Sequence, residues 1–293
     1  MTEQPRLQLP PAVMKVVLGR QLARLRENAG RTQEDAAGAL GCTQKKISHV
    51  EGGSGISLPE LDVLLDRFGA ADSDRDYARA LQAESDNRRK KGAFSTRFPE
   101  HLRLLVDMEP SCDRYSSYQA MFVPGLLQTE AYMRMNLRAW RPSLSREHAD
   151  ASVTNRLARQ RVLDNLHQRF WFIVDEAALR RASDPAVLRE QVRHLVDHVL
   201  DRPNVEFQVV PFDVGFYMGQ GRPYSIFGYD TTPTVDIIYL EHDEGGEYVD
   251  HSKRTVRYLT RWDYQRATAL GPEQSRRLLL DLAAGSATKG STK

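Results

Sequence analysis

The sequence predicts an α+β protein: an N-terminal all-α domain of five short helices, then a larger α+β domain with an antiparallel or mixed sheet. Three observations predict it. Residues 14–87 repeat apolar side chains at three- and four-residue spacing, and the repeats break at glycines. Short β-branched and aromatic runs then occupy 170–174, 205–211, 223–229 and 235–241. Long helical patterns separate and follow these runs, and helices mixed with sequence-local strands read as α+β.

Length and composition set the bounds. At 293 residues the chain suggests two domains, and 41% hydrophobic with 27% charged residues is ordinary globular usage. A net charge of +2 does not by itself signal nucleic-acid binding, so any electrostatic footprint has to be local. No apolar run reaches the roughly 20 residues of a membrane-spanning helix, and Met1 to Pro11 has no signal-peptide core. Cys42 and Cys112 are isolated and lack metal-site spacing, so the expectation is a reduced, cytoplasmic protein without a membrane partner.

Taken in order, residues 1–12 read as a flexible leader. From Met14 a helix presents Val17 or Leu18, Leu22 and Leu25 on one side, with Arg20, Arg24 and Arg26 on other faces, and it ends at Asn28-Ala29-Gly30. Thr32 caps a second helix that opens Gln33-Glu34-Asp35 and packs through Ala36, Ala37 and Leu40. Gly41 ends that helix and Thr43 caps the third. There Ile47 and Val50 face inward, leaving Gln44, Lys45, Ser48 and His49 outward near the helix start. An apolar inner face, a short polar and basic outer face and a dipole-positive end describe a DNA recognition helix, the second half of a helix-turn-helix. Ser57 and Glu60 form a capping box for a fourth helix through Leu61, Leu64, Leu65 and Phe68, and a fifth spans about 72–87. The helix-turn-helix domain is therefore 13–87.

Residues 88–97 form a basic linker opening Arg88-Arg89-Lys90-Lys91. The run reads equally as a solvated connection or as a strap on the DNA backbone. The effector and dimerisation domain is assigned to 98–285 and a flexible tail to 286–293. In it the expected elements are a helix at 98–110, a strand within 112–123, helices at 129–139 and 144–165, and a strand at 170–174. A helix begins at Asp184-Pro185 and runs to about 200; the three later strands and helices at 252–269 and 272–284 close the chain.

Two regions resemble known families. Leu18-Gly19-Arg20-Gln21-Leu22-Ala23-Arg24-Leu25-Arg26, Thr32-Gln33-Glu34 and Gln44-Lys45-Lys46-Ile47-Ser48-His49-Val50-Glu51-Gly52 resemble the Xre/Cro-type helix-turn-helix over about residues 16–70. Phe122-Val123-Pro124-Gly125-Leu126-Leu127-Gln128-Thr129-Glu130-Ala131-Tyr132, Arg156-Leu157-Ala158-Arg159-Gln160-Arg161, Val174-Asp175-Glu176-Ala177-Ala178-Leu179-Arg180, Pro203-Asn204-Val205 and Val209-Val210-Pro211-Phe212 resemble the C-terminal domain of actinobacterial regulators of the WhiJ type. The resemblance implies a transcription factor, often encoded beside a small partner protein in an antitoxin-like pair. It also implies a homodimer on double-stranded DNA, with a C-terminal domain that senses a small-molecule ligand or binds the partner.

By matching positions, Gln33 and Gln44 stand at the starts of the two helices, where their amides reach phosphates or base edges. Gln44 is the candidate adenine reader and Lys45 the candidate for guanine or phosphate; Lys45 and Lys46 could each be merely solvated charges, but within this motif both read as DNA contacts. Ser48 and His49 follow one turn on, and Thr43 is more a cap than a reader. Glu51, an acid beside phosphate, reads as structural. Half-sites of a two-fold operator should lie about one helical turn apart, ~34 Å.

Other chemistry is weaker. His194 and His198 share a helix face but lack a third metal ligand, so surface or packing roles suit them better. Asp175-Glu176 reads as helix-capping acid. No nucleophile elbow, phosphate loop or dinucleotide fingerprint occurs, so neither an enzyme nor a cofactor is expected. Cys42 reads as a small packed residue. Among Trp171, Phe207, Phe212, Phe216, Tyr217, Tyr224, Phe227 and Tyr239 most must be strand core. Phe216 and Tyr217, in the loop Gly215-Phe216-Tyr217-Met218-Gly219-Gln220-Gly221, are the ligand- or partner-binding candidates.

Overall fold

The structure is a computed structural model that describes residues 9–85, 95–231, 234–242, 245–249 and 252–284. The run Arg88-Arg89-Lys90-Lys91 and the tail 286–293 lie outside the described residues.

Five helices open the chain: α1 Pro11–Asn28, α2 Gln33–Leu40, α3 Gln44–Glu51, α4 Leu58–Arg67 and α5 Asp72–Ser85. α1 begins within residues 1–12: Leu9 is buried, Pro10 is the N-cap and Pro11 is the first helical residue. Proline suits that place, since the first helical amides have no partner to lose. Val17 and Leu18 are both buried, with Leu22, Leu25, Ala36, Ile47, Leu61, Leu64, Leu65 and Ala78 completing the core. Arg26, expected on an outer face, is buried too. It lies four residues beyond Leu22, on the apolar stripe, so the fold has to provide it with a counter-charge.

Each short helix is closed by its own side chains. Thr32 and Asp35 form a reciprocal box at the start of α2, and Ser57 and Glu60 do the same for α4. Gly41 ends α2 in the left-handed region at φ 62°. Gly38 differs: it sits inside α2 facing solvent, where an added methyl would meet nothing within 4 Å. Gly38→Ala is therefore expected to stabilise the N-terminal helices by about 0.5–1 kcal/mol, read as a higher urea midpoint at unchanged slope.

After α6, Glu100–Met108, comes a mixed six-stranded sheet in the order β3-β2-β1-β4-β5-β6. The strands are β1 Arg114–Gln119, β2 Arg169–Asp175, β3 Val205–Val210, β4 Tyr224–Tyr229, β5 Val235–His242 and β6 Gly245–Val249. β1, β2 and β3 run parallel, with Tyr118 opposite Ile173 and Phe172 opposite Phe207. Parallel neighbours need long crossovers, and helices supply them. α7 Glu130–Trp140 and α8 Arg146–Arg159 join β1 to β2, and α9 Pro185–His194 joins β2 to β3. The continuous apolar run of β2 follows: Phe170, Phe172, Ile173 and Val174 are buried on both sides of the strand. α10 Ser252–Thr268 and α11 Pro272–Ala283 follow the sheet, and α11 packs on α9 and β3.

Three expectations change here. The helix expected over 144–165 stops at Arg159 and tightens into a 3₁₀ turn, Gln160–Asp164, where the Gln160 side chain turns away to bind other backbone. The helix from Pro185 ends in a π turn, Leu195–Val199. β6 departs from expectation, since Gly245-Gly246-Glu247 carries no strand propensity. It exists beside β5, where the ring of Tyr239 lies against the bare face of Gly246.

The chain divides into two compact units. One comprises residues up to Cys112 with Gly228–Ile237 and Tyr248–Thr255; the other comprises Asp113–Phe227, Ile238–Glu247 and the residues from Val256.

Candidate nucleic-acid interface

Within the first unit α2 and α3 form the helix-turn-helix. Gly41 makes the tight reversal, and Thr43 Oγ1 accepts from the Lys46 amide at the start of α3. Thr43 is thus the N-cap, which leaves less of its hydroxyl for DNA. Ile47 and Val50 are buried against the other helices. Gln44, Lys45, Lys46 and His49 are exposed and Ser48 is half-buried. No acid belongs to the first turn of α3 itself, so its amides and Lys45 present a positive end, offset only at Lys46.

The outward residues are not equivalent. Lys46 Nζ is ion-paired with Glu60, which also closes the cap of α4. The pair holds the Glu60 carboxyl below its ordinary range, chiefly through the Lys46 bond and next through Ser57, and raises the Lys46 ammonium. Lys45 makes no such bond among the described residues, and Gln44 likewise keeps its amide for a ligand. Gln33 does stand at the start of α2, yet its Nε2 donates to Glu51 Oε2 at 2.8 Å.

Glu51 is the hub behind this surface. It accepts from Arg26 Nε at 2.6 Å and Nη2 at 3.0 Å, with the two side chains only 11% and 9% exposed. Its hydrogen bond holds the Arg26 guanidinium above its ordinary pKa. One acid therefore ties α1, the start of α2 and the end of α3. α1 also passes α3 at backbone distance: a methyl on Gly19 would lie 2.7 Å from the carbonyl oxygen of Glu51. Sequence reading missed both devices, although Arg26 on the apolar stripe and a glycine inside a strong helix were visible signals.

In the second unit the two loop candidates part company. Phe216 is 99% exposed, while Tyr217 turns inward and donates to Asp175 Oδ2 at 2.5 Å. Its hydroxyl also meets that of Tyr118, and burial together with the Asp175 bond raises the phenol well above its ordinary pKa, so it stays a donor. Asp175, at the end of β2, also caps the next turn through Ala177. Glu176 pairs with Arg180 and accepts from the Phe212 amide. Phe207, Tyr224, Phe227 and Tyr239 are core, whereas Phe212 is exposed. Trp171 is half-buried and donates to Gln208 at 2.9 Å.

The rings of His194 and His198 are tilted at 51° with centres 5.4 Å apart, and burial lowers the His194 pKa. Among the described residues no group of three His, Cys, Asp or Glu side chains could hold a metal. No described helix is long and apolar enough to cross a membrane.

Residues 17–78 match the family model of a helix-turn-helix domain, so the first helices are a DNA-binding domain of the regulator type. Residues 102–281 match the model of a domain of unknown function (DUF5753). Neither the curated proteins nor the solved structures include a match to this chain.

Proposed function

The chain belongs to the DUF5753 family, and because a helix-turn-helix domain precedes that family's domain we propose that it is a sequence-specific transcriptional regulator. It acts in the cytoplasm as a homodimer on a two-fold operator, and its C-terminal domain receives a signal rather than catalysing a reaction. The observation that carries the reading is the outer face of α3, where Gln44, Lys45, Ser48 and His49 are turned outward on a helix whose own first turn holds no acid. Gln44 reads a base edge, Lys45 a guanine or phosphate, and Ser48 and His49 the flanking contacts. Lys46, shared with Glu60, contributes less, and Gln33 acts mainly by fixing Glu51. The strap Arg88-Arg89-Lys90-Lys91 adds backbone charge.

Sequencing of genomic fragments retained by the purified chain at physiological salt tests this. A shared two-fold motif with half-sites ~34 Å apart is the expected result. Gln44→Ala should cost about 1–3 kcal/mol and relax one base position. An equal loss on every operator variant would make Gln44 a phosphate contact, and retention without any motif would leave only non-specific binding. Lys45→Gln should reduce the slope of log K against log salt by about 0.9, and Lys46→Gln by clearly less. Equal slope changes would mean that Lys46 leaves Glu60 when DNA arrives.

A second reading has one observation behind it. Phe212, Val214, Phe216 and Met218 all expose apolar surface in one short loop, as a seat for a small partner protein would. DNA binding would then autoregulate an antitoxin-like pair. Co-purification of a small protein that is lost on Phe216→Ser separates this from a small-molecule receiver.

A further inference from the structure

Between the start of α9 and the end of α11 lies an apolar cleft of about 200 Å³. Leu179 and Val192, each 1% exposed, form its floor, and Leu188 and Leu282 are its half-buried walls. All four belong to the second unit. α9 and α11 pack on each other, and the cleft is the part of that interface their side chains do not close. Interiors are packed like organic crystals, so an apolar space of this size beside a tight helix pair is a feature to be accounted for.

Two cations, Arg180 and Arg189, stand at its mouth, and no acid is among the residues that line it. They are held differently. Arg180 is ion-paired through Nε with Glu176, whose other oxygen accepts the Phe212 amide at 2.8 Å. That pairing orients the guanidinium and leaves its two terminal nitrogens without a bond among the described residues. Arg189, one turn beyond Pro185 on α9, is exposed and makes no side-chain hydrogen bond or ion pair among the described residues. An apolar lining with a few convergent polar groups is the usual make-up of a small-molecule site. Size and charge then narrow the ligand. At about 30 Å³ for one water-sized group the cleft takes roughly seven such groups, the bulk of a short aliphatic chain. Glu176 already answers Arg180, so one positive charge is left over, which a monoanion matches. A carboxylate also fits the planar guanidinium fork.

We propose that this cleft binds a small aliphatic carboxylic acid, its chain on Leu179, Leu188, Val192 and Leu282 and its carboxylate on Arg189 and Arg180. Glu176 gives the site a route outward, because one side chain orients Arg180 and holds the amide of Phe212, where the exposed apolar loop begins. As a signal the acid rests on the C-terminal domain being a receiver, but its binding does not. The two are measured separately, by titration without DNA and by operator affinity.

Calorimetric titration of the full chain with octanoate, at two temperatures, tests the site. Saturable binding with a negative heat-capacity change is expected, the mark of buried apolar surface. Octanol, which has the chain without the charge, and acetate, which has the charge without the chain, should each bind at least roughly fivefold more weakly. Arg189→Gln should weaken octanoate by about the same factor, the scale of one exposed charge pair, and leave octanol unchanged. Leu188→Trp should abolish binding of both by filling the cleft. Arg189 is exposed, so its variant decides the matter if the tryptophan variant does not fold. No saturable binding of octanoate, or octanol binding as tightly as octanoate, overturns the proposal. So does a fall in sedimentation coefficient in Leu188→Trp without ligand, because the cleft would then seat a second copy of the chain. Octanoate that binds yet leaves operator affinity unaltered retains the site and removes its role as the signal.

Discussion

Gly19→Val is expected to unfold the helix-turn-helix and abolish operator binding. The new side chain would point at the carbonyls of Val50 and Glu51, with its first carbon 2.7 Å from the Glu51 oxygen and 2.9 Å from the Glu51 carbonyl carbon. These are backbone atoms of α3, so relief requires α1 and α3 to separate, and Ile47 and Val50 would lose their burial. Even Gly19→Ala should cost about 3 kcal/mol, the upper range for overpacking, despite the roughly 1 kcal/mol that alanine gains inside a helix. Urea unfolding followed by helical circular dichroism measures it. Unchanged stability in either variant would mean that α3 is not seated on α1 as described. Gly38→Ala is the control: the same chemical change inside a helix, with the opposite sign.

The second large effect belongs to Glu51. Glu51→Ala leaves Arg26 charged and enclosed and also strips Gln33 of its acceptor. Removing one partner of a buried pair costs about 3–5 kcal/mol, far more than an exposed pair is worth. Replacing both members, Arg26→Met with Glu51→Leu, should recover most of that loss, because no charge is then left unanswered. If the double variant is as unstable as the single, the acid acts through packing rather than charge. DNA binding should weaken in Glu51→Ala beyond the loss of folded protein, since α2 and α3 share that carboxylate.

Where the sequence was legible, a local rule met no opposition. Thr32 and Thr43 each mark a helix start by a hydroxyl that accepts from a backbone amide, Ser57 marks one through its bond to Glu60, and spacing alone placed Ile47 and Val50 inside. The strand 170–174 declared itself by a run too apolar for one exposed face. What escaped was set by distant partners. Arg26 read as surface because nothing nearby in sequence announces Glu51, twenty-five residues on. β6 has poor propensity and is a strand because its neighbour accepts it. Phe216 and Tyr217, adjacent and chemically alike, read as one feature. Only the fold, through Asp175 and Tyr118, tells them apart.

That division has a consequence for the loop itself. Gly215, Gly219 and Gly221 all take left-handed backbone, which would ordinarily leave such a segment free to sample many shapes. Tyr217 anchors its middle, so Phe216 is displayed from a nearly fixed base although it touches almost nothing. Whatever meets that ring encounters a segment whose ordering was completed during folding, and less freedom is surrendered on contact. Stability and recognition are therefore separable at adjacent positions: the tyrosine holds the display together, and the phenylalanine is what is displayed.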